Sequence, residues 1–118
     1  MAGQRASPTL EELAVRLAEF ARERDWDQFH SPKNLAMALA GEVGELLEHF
    51  QWLTEAQSRE LSVDVRDAVA LEMADVLLYL VRLADQLGID LSAVAERKIG
   101  LNAAKYPADA VRGSARKI

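Results

Sequence analysis

The sequence predicts an all-α protein, a four-helix bundle built on a central antiparallel hairpin. Apolar residues recur at three- and four-residue spacing along most of the chain, as they do on the buried stripe of a helix. Half of the 118 residues are apolar, and glycine and proline are few. Capping residues stand where the periodic stretches begin, and Gly88 follows the longest of them as a helix-ending glycine. This length allows one domain with one core.

Composition excludes several classes of partner. The net charge of −5 argues against a protein that wraps a nucleic-acid polymer. The chain has no cysteine, which fits the reducing cytoplasm, and we expect a cytoplasmic location. The start of the chain, residues 1–7, lacks the apolar region of a signal peptide, and apolar runs such as residues 76–81 are too short to span a bilayer. We therefore expect no membrane partner.

The first helix is predicted to begin near Pro8, after a flexible leader at residues 1–7. Ser7 could cap it with Pro8 at the first helical position, or Thr9 could form a capping box with Glu12. An apolar stripe continues to about Arg24, where we expect the helix to end.

The next two helices form the predicted hairpin. The second helix starts at the Ser31-Pro32 pair and should run to about Leu53. The third should run from Ser62 to about Gly88. Only the polar stretch 54–64 separates their apolar stripes, and a connection this short favours an antiparallel return.

Four acids give the hairpin its chemistry. Glu42 and Glu45 lie on the second helix and Glu72 and Asp75 on the third, each pair at i, i+3 and therefore on one helix face. Both pairs are about equally far from the connection, so an antiparallel hairpin brings all four carboxylates to one level. Like charges at that spacing repel, and a divalent cation usually offsets the repulsion. Oxygen ligands in a chain without cysteine favour Mg²⁺, with Mn²⁺ as a substitute, over zinc.

Other residues of the second helix leave alternatives open. Gly41 and Gly44 flank the first acid and each cost the helix about 1 kcal/mol relative to alanine. Such glycines suit close approach of a ligand, of another backbone or of a packed helix. Glu48 continues the three-residue spacing as either a further ligand or a solvated acid. His49 lies one turn beyond the first pair, where a packed or exposed histidine is commoner than a ligand.

Aromatic residues flank the predicted acid site. The connection at residues 25–30 contains Trp26, Phe29 and His30, which either plug the core or form the wall of a ligand pocket. Trp52 lies on the flank of the acid stripe and could close the same pocket. A base held there would stack on the rings, and His30 could hydrogen-bond its edge.

The fourth helix is predicted to start at Asp90 or Ser92 and to run to about Lys105. A basic tail follows at residues 108–118. One polar stripe on this helix has the spacing i, i+4, i+7 and consists of Lys98, Asn102 and Lys105. It is either a solvated face or a source of positive charge and donors for a bound polyphosphate.

Together these motifs resemble the MazG-like superfamily of all-α nucleoside triphosphate pyrophosphohydrolases, and most of all its dCTP pyrophosphatase branch. The resemblance runs from about residue 10 onward, so residues 8–107 are interpreted as one MazG-like domain. It is carried by residues 23–30, 41–46, 50–52, 72–80, 98, 102 and 105–107. One departure is Leu71, at a position where many relatives have an additional acid.

The resemblance implies hydrolysis of a nucleoside triphosphate between its α and β phosphates, with dCTP or a modified dCTP as substrate, in nucleotide-pool house-cleaning. It implies Mg²⁺ ligands at Glu42, Glu45, Glu72 and Asp75, a base and sugar pocket at Trp26, His30 and Trp52, and phosphate or sugar contacts from Lys98, Asn102 and Lys105. It also implies a homodimer or homotetramer, in which helices of one chain can complete the site of another. Glu45 is our candidate for the general base.

Three other functions are weighed against this one. A broad-specificity (d)NTP pyrophosphatase would use the same site without reading the base. A carboxylate-bridged redox bundle needs Glu-x-x-His on two helices, and here the fourth positions are Glu45 and Asp75. A non-enzymatic helical interaction module would leave the acids as a solvated face, and Gly41 and Gly44 would then weaken a helix for no gain.

Overall fold

The computed structural model describes residues 6–116, and every regular element in that range is helical. The predicted all-α class is therefore confirmed. In chain order the elements are α1 (Leu10–Glu23), a short 3-10 helix (Asp27–Phe29), α2 (Pro32–Glu48), α3 (Glu55–Ser58), α4 (Val63–Gln86), α5 (Leu91–Lys105) and α6 (Ala108–Val111). Most of the predicted leader and the last two residues of the predicted tail lie outside the described residues.

Side-chain caps fix where the four long helices begin. Each cap accepts a hydrogen bond from the backbone N–H three residues later, which satisfies a donor that the helix itself leaves unpaired. Thr9 rather than Ser7 caps α1, and Asp90 rather than Ser92 caps α5. Ser31 and Ser62 cap α2 and α4, as the sequence predicts.

The predicted end of the second helix is wrong. Helix α2 ends at Glu48 instead of continuing to about Leu53, and the backbone N–H groups of Phe50 and Gln51 both reach the carbonyl of Leu47 in a turn. A capping box explains the early stop, because Thr54 and Gln57 exchange hydrogen bonds of 3.0 and 3.1 Å and start α3 afresh. The apolar periodicity thus outlasts the helix. A further short helix, α6, opens the segment predicted to be a tail.

The described chain divides into two compact units, one up to Gly88 and one from Ile89 onward. In the first unit, α2 packs along α4, and α1 also packs against α4. The buried apolar core of this unit is small and consists of Ala21, Leu35, Val69, Val81 and Ala84. Helix α4 ends at Gln86, and the predicted helix-ending Gly88 follows its C-cap with a left-handed φ of 67°.

Several large apolar side chains of the first unit remain exposed. They include Met37, Leu47, Trp52, Val63, Leu71 and Met73. Where such side chains adjoin one another, they are typical of an interaction surface. Among the described residues, no helix has the length and apolar character needed to cross a bilayer.

Candidate active site

Three carboxylates meet where α2 packs along α4. Glu42 and Glu45 project from α2 and Glu72 from α4, and each offers an oxygen within 4.8 Å of the others. Because α2 and α4 are joined by a short connection, the i, i+3 spacing of the first pair brings both acids opposite Glu72. The structure thus unites three of the four predicted ligands.

The cluster leaves two carboxylate oxygens unsatisfied. One Oε2 atom on Glu42 and one on Glu72 are shielded from solvent and have no hydrogen-bond partner, although the Glu72 side chain as a whole keeps 23% of its exposure. A hydrogen bond shared with Glu45, then loss of solvent and then the neighbouring charges raise the pKa of Glu42 to about 7. Loss of solvent, followed by the charges of Glu45 and Asp75, also raises the pKa of Glu72. The fully ionised cluster is therefore costly by itself.

These residues fit a hard divalent cation. A buried oxygen without a partner costs free energy, and a cation would satisfy both oxygens and offset the repulsion at once. The three carboxylates already place oxygens within 4.8 Å of one another, so Glu42, Glu45 and Glu72 could together hold one divalent cation.

His49 lies at the edge of the cluster. Its Nε2 atom is 3.9 Å from Oε1 of Glu72, and a positive charge on the ring would oppose the upward shift in the pKa of Glu72. This distance is too long for a hydrogen bond, so His49 can act on the Glu72 carboxylate only through space. Glu48, the other residue left open by the sequence, is exposed at the end of α2.

Asp75 lies outside the three-acid group and lines a cavity next to it. The cavity has a volume of about 210 Å³, below the roughly 300–1,000 Å³ of sites that enclose a drug-sized ligand. It therefore suits one ring system. Its lining residues are Leu17, Phe20, Trp26, His30, Leu35, Asp75, Leu78, Tyr79 and Arg82. Since Asp75 also raises the pKa of Glu42 and Glu72 by its charge, it links the acid cluster to the cavity.

The connection after α1 is ordered by local hydrogen bonds. Asp25 takes a left-handed φ of 55°, a conformation that Asp tolerates better than most residues. This turn lets the backbone N–H of Trp26 return to the carbonyl of Ala21 at 2.8 Å. The Trp26 ring then meets the Phe20 ring edge-on, with centroids 5.7 Å apart, and the His30 ring at 6.4 Å. Trp26 and His30 thus form part of the cavity wall, while their role in binding a base stays a prediction.

Arg82 continues the stripe of Glu72 and Asp75 in the sequence, but sequence reasoning gave it no role in the cavity. It is the one charged side chain among the buried residues of the described chain, with 6% of its surface exposed. It donates through Nε to Nδ1 of His30 at 3.1 Å, through one terminal nitrogen to Asp27 at 2.7 Å and through the other to Asp85 at 3.3 Å. Burial and then the Arg82 charge lower the pKa of His30 against the opposing charge of Asp27. A lone arginine inside the apolar run of α4 is the signal that could have pointed to it.

Two predicted pocket residues do not line the cavity. Phe29 is exposed, and its backbone carbonyl accepts a hydrogen bond from the Asn34 side chain. Trp52 is 86% exposed, because the chain leaves the helix after Glu48 and carries the ring to the surface. Their substrate-binding roles stay predictions.

The predicted phosphate-binding stripe belongs to the second unit. Lys98, Asn102 and Lys105 all lie on α5, with the spacing i, i+4, i+7 that gives them a common face. Lys105 also approaches the Tyr106 ring, at 5.4 Å from its centroid. Contact of this stripe with a phosphate stays a prediction.

Known proteins place the chain in a family. The MazG-like family profile matches residues 38–118. Human dCTP pyrophosphatase 1 is 48% identical over 112 residues, which are 93% of this chain and 66% of the human protein. The cattle protein of the same name is 46% identical over 114 residues, or 95% of this chain and 68% of that protein. The crystal structure of a pyrophosphatase from Archaeoglobus fulgidus superposes with a TM-score of 0.79 at 39% identity, covering 88% of this chain and 97% of that one. The chain belongs to the MazG-like family.

Proposed function

We propose that this protein is a Mg²⁺-dependent nucleoside triphosphate pyrophosphohydrolase, which converts a deoxynucleoside triphosphate to its monophosphate and pyrophosphate. The proposed substrate is dCTP or a modified dCTP, and the proposed role is nucleotide-pool house-cleaning in the cytoplasm. The observation that carries the proposal is the adjacency of an under-satisfied acid cluster and a ring-sized aromatic cavity, linked by Asp75. The names of the relatives, dCTP pyrophosphatase 1 and a pyrophosphatase, support the same chemistry.

The metal would be held by Glu42, Glu45 and Glu72, with Asp75 as the proposed fourth ligand. When bound, a divalent cation would neutralise part of the triphosphate charge, which four acids alone would repel. Carboxylate oxygens without cysteine favour Mg²⁺, and Mn²⁺ can replace it.

The chain's own residues would place the two ends of the nucleotide. The base would enter the cavity and stack against Trp26, and the phosphates would extend past Asp75 toward the acids. Lys98, Asn102 and Lys105 are proposed to contact phosphate or sugar. Phe29 and Trp52 are proposed to cover the nucleotide in the assembled protein.

Glu45 is the proposed general base. It is the exposed member of the three-acid group, whereas Glu42 and Glu72 are half-buried, so its carboxylate is the one that water reaches most easily. In the proposed step an oxygen of Glu45 accepts a proton from water as the water oxygen bonds to the α-phosphorus. The bond between the α-phosphorus and the bridging oxygen breaks, and pyrophosphate leaves.

A homo-oligomer is proposed as the working form, either a dimer or a tetramer. The core of the first unit is small, and Met37, Leu47, Trp52 and Met73 remain exposed beside it. A second copy would cover this surface and could bring Trp52 to the cavity of its neighbour. No nucleic-acid polymer or membrane is proposed as a partner. Light scattering at micromolar concentration tests the assembly, and a monomeric mass would contradict it.

A product assay tests the activity. The purified protein is incubated with each dNTP and NTP in Mg²⁺, and pyrophosphate and phosphate are measured separately. We expect pyrophosphate and monophosphate in equal amounts, fastest for dCTP or a modified dCTP, and none in EDTA. Stacking tolerates any base, so equal rates across the dNTPs would indicate the broad-specificity alternative. Release of single phosphates would contradict the proposed cleavage.

A further inference from the structure

Arg82 is built into the cavity wall by contacts that are remote in sequence. Its partners His30 and Asp27 precede it by 52 and 55 residues, and it lines the cavity together with His30. Gln86, one turn further along α4, donates to the backbone carbonyl of His30 at 3.1 Å. Both the ring and the backbone of His30 are thus fixed to α4.

The hydrogen bond to His30 determines which ring nitrogen carries the proton. A guanidinium has only donors and stays protonated in proteins, so Nδ1 of His30 must accept. A neutral histidine that accepts at Nδ1 carries its hydrogen on Nε2. Burial and the Arg82 charge both favour the neutral ring by lowering its pKa. His30 therefore presents one fixed donor, Nε2–H.

We propose that Arg82 is a positioning residue that holds His30 as the Nε2–H tautomer, so that the cavity favours a base whose ring edge offers an acceptor at that point. Cytosine has an acceptor at ring N3, whereas the N3–H of thymine is a donor and would leave the His30 donor unpaired. The proposal deepens the proposed function and rests on it for the identity of the ligand. The tautomer itself stands on the structure alone.

A purely structural role for Arg82 makes a different prediction. If Arg82 only anchors the loop to α4, its loss would slow every nucleotide alike and leave the choice of base unchanged. If it positions His30, its loss would act mainly on the ratio of kcat/KM between dCTP and dTTP. The two roles are therefore separable by selectivity.

The first test is spectroscopic and needs no nucleotide. Long-range ¹H–¹⁵N correlation spectra of the protein at pH 7.5 report which nitrogen of each histidine is protonated. The chain has two histidines, so a His30→Gln variant assigns the signals. We expect Nε2–H with an accepting Nδ1. A ring protonated on Nδ1 would overturn the proposal, whether or not the protein hydrolyses any nucleotide.

The second test compares variants. Arg82→Met should lower the dCTP to dTTP ratio of kcat/KM by about tenfold, the size of one hydrogen bond. His30→Ala should lower it equally, and the double variant no further. Arg82→Lys should not restore it, because an ammonium lacks the fork that spans three partners. Arg66→Met, an exposed arginine on the same helix, is the matched control and should change nothing.

A third variant guards against misfolding. If Arg82→Met fails to fold, Asp27→Asn keeps both Arg82 and His30 while removing the 2.7 Å ion pair that orients the guanidinium. We expect a mixture of His30 tautomers, and a smaller fall in the dCTP to dTTP ratio of kcat/KM than in Arg82→Met. An unchanged ratio with a mixed tautomer would overturn the selectivity argument. Unchanged selectivity in folded Arg82→Met would do the same.

Discussion

The acid cluster and the aromatic cavity adjoin through Asp75, yet their polar groups are satisfied to different degrees. In the cluster, Glu42 and Glu72 each keep a buried oxygen without a partner. In the cavity wall, Arg82 reaches three acceptors and is almost fully buried. A cation is therefore expected to change the energy of the cluster strongly, while the cavity wall is formed before any ligand arrives. The acid cluster is therefore incomplete without a cation, whereas the cavity wall is already ordered without a bound base.

The largest loss of turnover is expected from substitutions in the acid cluster. Glu42→Gln, Glu45→Gln, Glu72→Gln and Asp75→Asn should each lower Mg²⁺-dependent turnover on the order of 10²-fold or more, since even indirect support of a metal site is worth 10–100-fold. Helical content should be unchanged, and removing one of several repelling acids should not destabilise the metal-free protein. Turnover at limiting Mg²⁺ and circular dichroism measure the two effects.

Glu48→Gln is the control for these variants. Glu48 lies on α2, three residues beyond Glu45, but is exposed and outside the three-acid group. We expect wild-type turnover. If any of the four acid variants kept the turnover of Glu48→Gln at limiting Mg²⁺, the substituted acid would not be a metal ligand.

A smaller effect, on KM, is expected from substitutions of the tryptophans predicted to bind the base. Trp26→Ala should raise KM about 5- to 150-fold, because stacking of one base is worth about 1–3 kcal/mol. Trp52→Ala should raise KM for all nucleotides alike if a second copy brings this exposed ring to the site. Steady-state kinetics with dCTP and dTTP measure both. An unchanged KM in Trp52→Ala would mean that one chain builds the pocket without it.

The cluster could be predicted from sequence because its geometry is local. The i, i+3 pairs and a short connection fix the relative height of Glu42, Glu45 and Glu72 before any tertiary contact is known. The pairing of Arg82 with Asp27 and His30 has no such local signature, since it spans more than 50 residues. Periodicity placed Arg82 on α4 but could not name its partners.

The early end of α2 and the exposure of Trp52 share one physical origin. Phe50 and Leu53 continue the apolar periodicity of α2, which predicts a helix that runs past Trp52. The capping box of Thr54 and Gln57 starts a new helix instead, and the turn before it carries Trp52 to the surface. Propensity within a window cannot decide between continuing one helix and starting another when both are locally favourable.

The acid cluster and the cavity should also differ in how their contributions to thermal stability change with pH. The raised pKa of Glu42, about 7 instead of 4.5, means that the folded protein holds this proton more tightly than the unfolded chain. Its contribution to stability is present below pH 4.5 and is lost as pH rises to about 7. In EDTA, we therefore expect the acid cluster to lower Tm between pH 5 and pH 8, and Mg²⁺ to restore it at pH 8.

His30 changes the stability with pH in the opposite direction, so its contribution has to be separated from that of Glu42. Its pKa is lowered in the fold, so its contribution to stability is present above pH 6.5 and is lost as pH falls. The difference in Tm between wild type and Glu42→Gln cancels the His30 term. That difference should favour the variant increasingly from pH 5 to pH 8 in EDTA. A difference that does not vary with pH would contradict the raised pKa.

The smallest effect is expected beside the cluster, at Gly41 and Gly44. A Cβ added to either would meet nothing within 4 Å, so helix packing within its own unit does not require glycine there. Gly41→Ala and Gly44→Ala should each stabilise the monomeric fold by up to about 1 kcal/mol, by helix propensity alone, and raise Tm by a few degrees. If a nucleotide or a second copy approaches this surface, the same variants should raise KM or weaken association while Tm of the dilute protein still rises. Thermal unfolding, light scattering and kinetics on one preparation measure Tm, association and KM.

Ala38→Gly, at a half-buried position on the same helix, is the reverse control and should lower Tm. A gain in Tm with unchanged KM and mass would mean that the open surface around Glu42 serves neither substrate nor assembly.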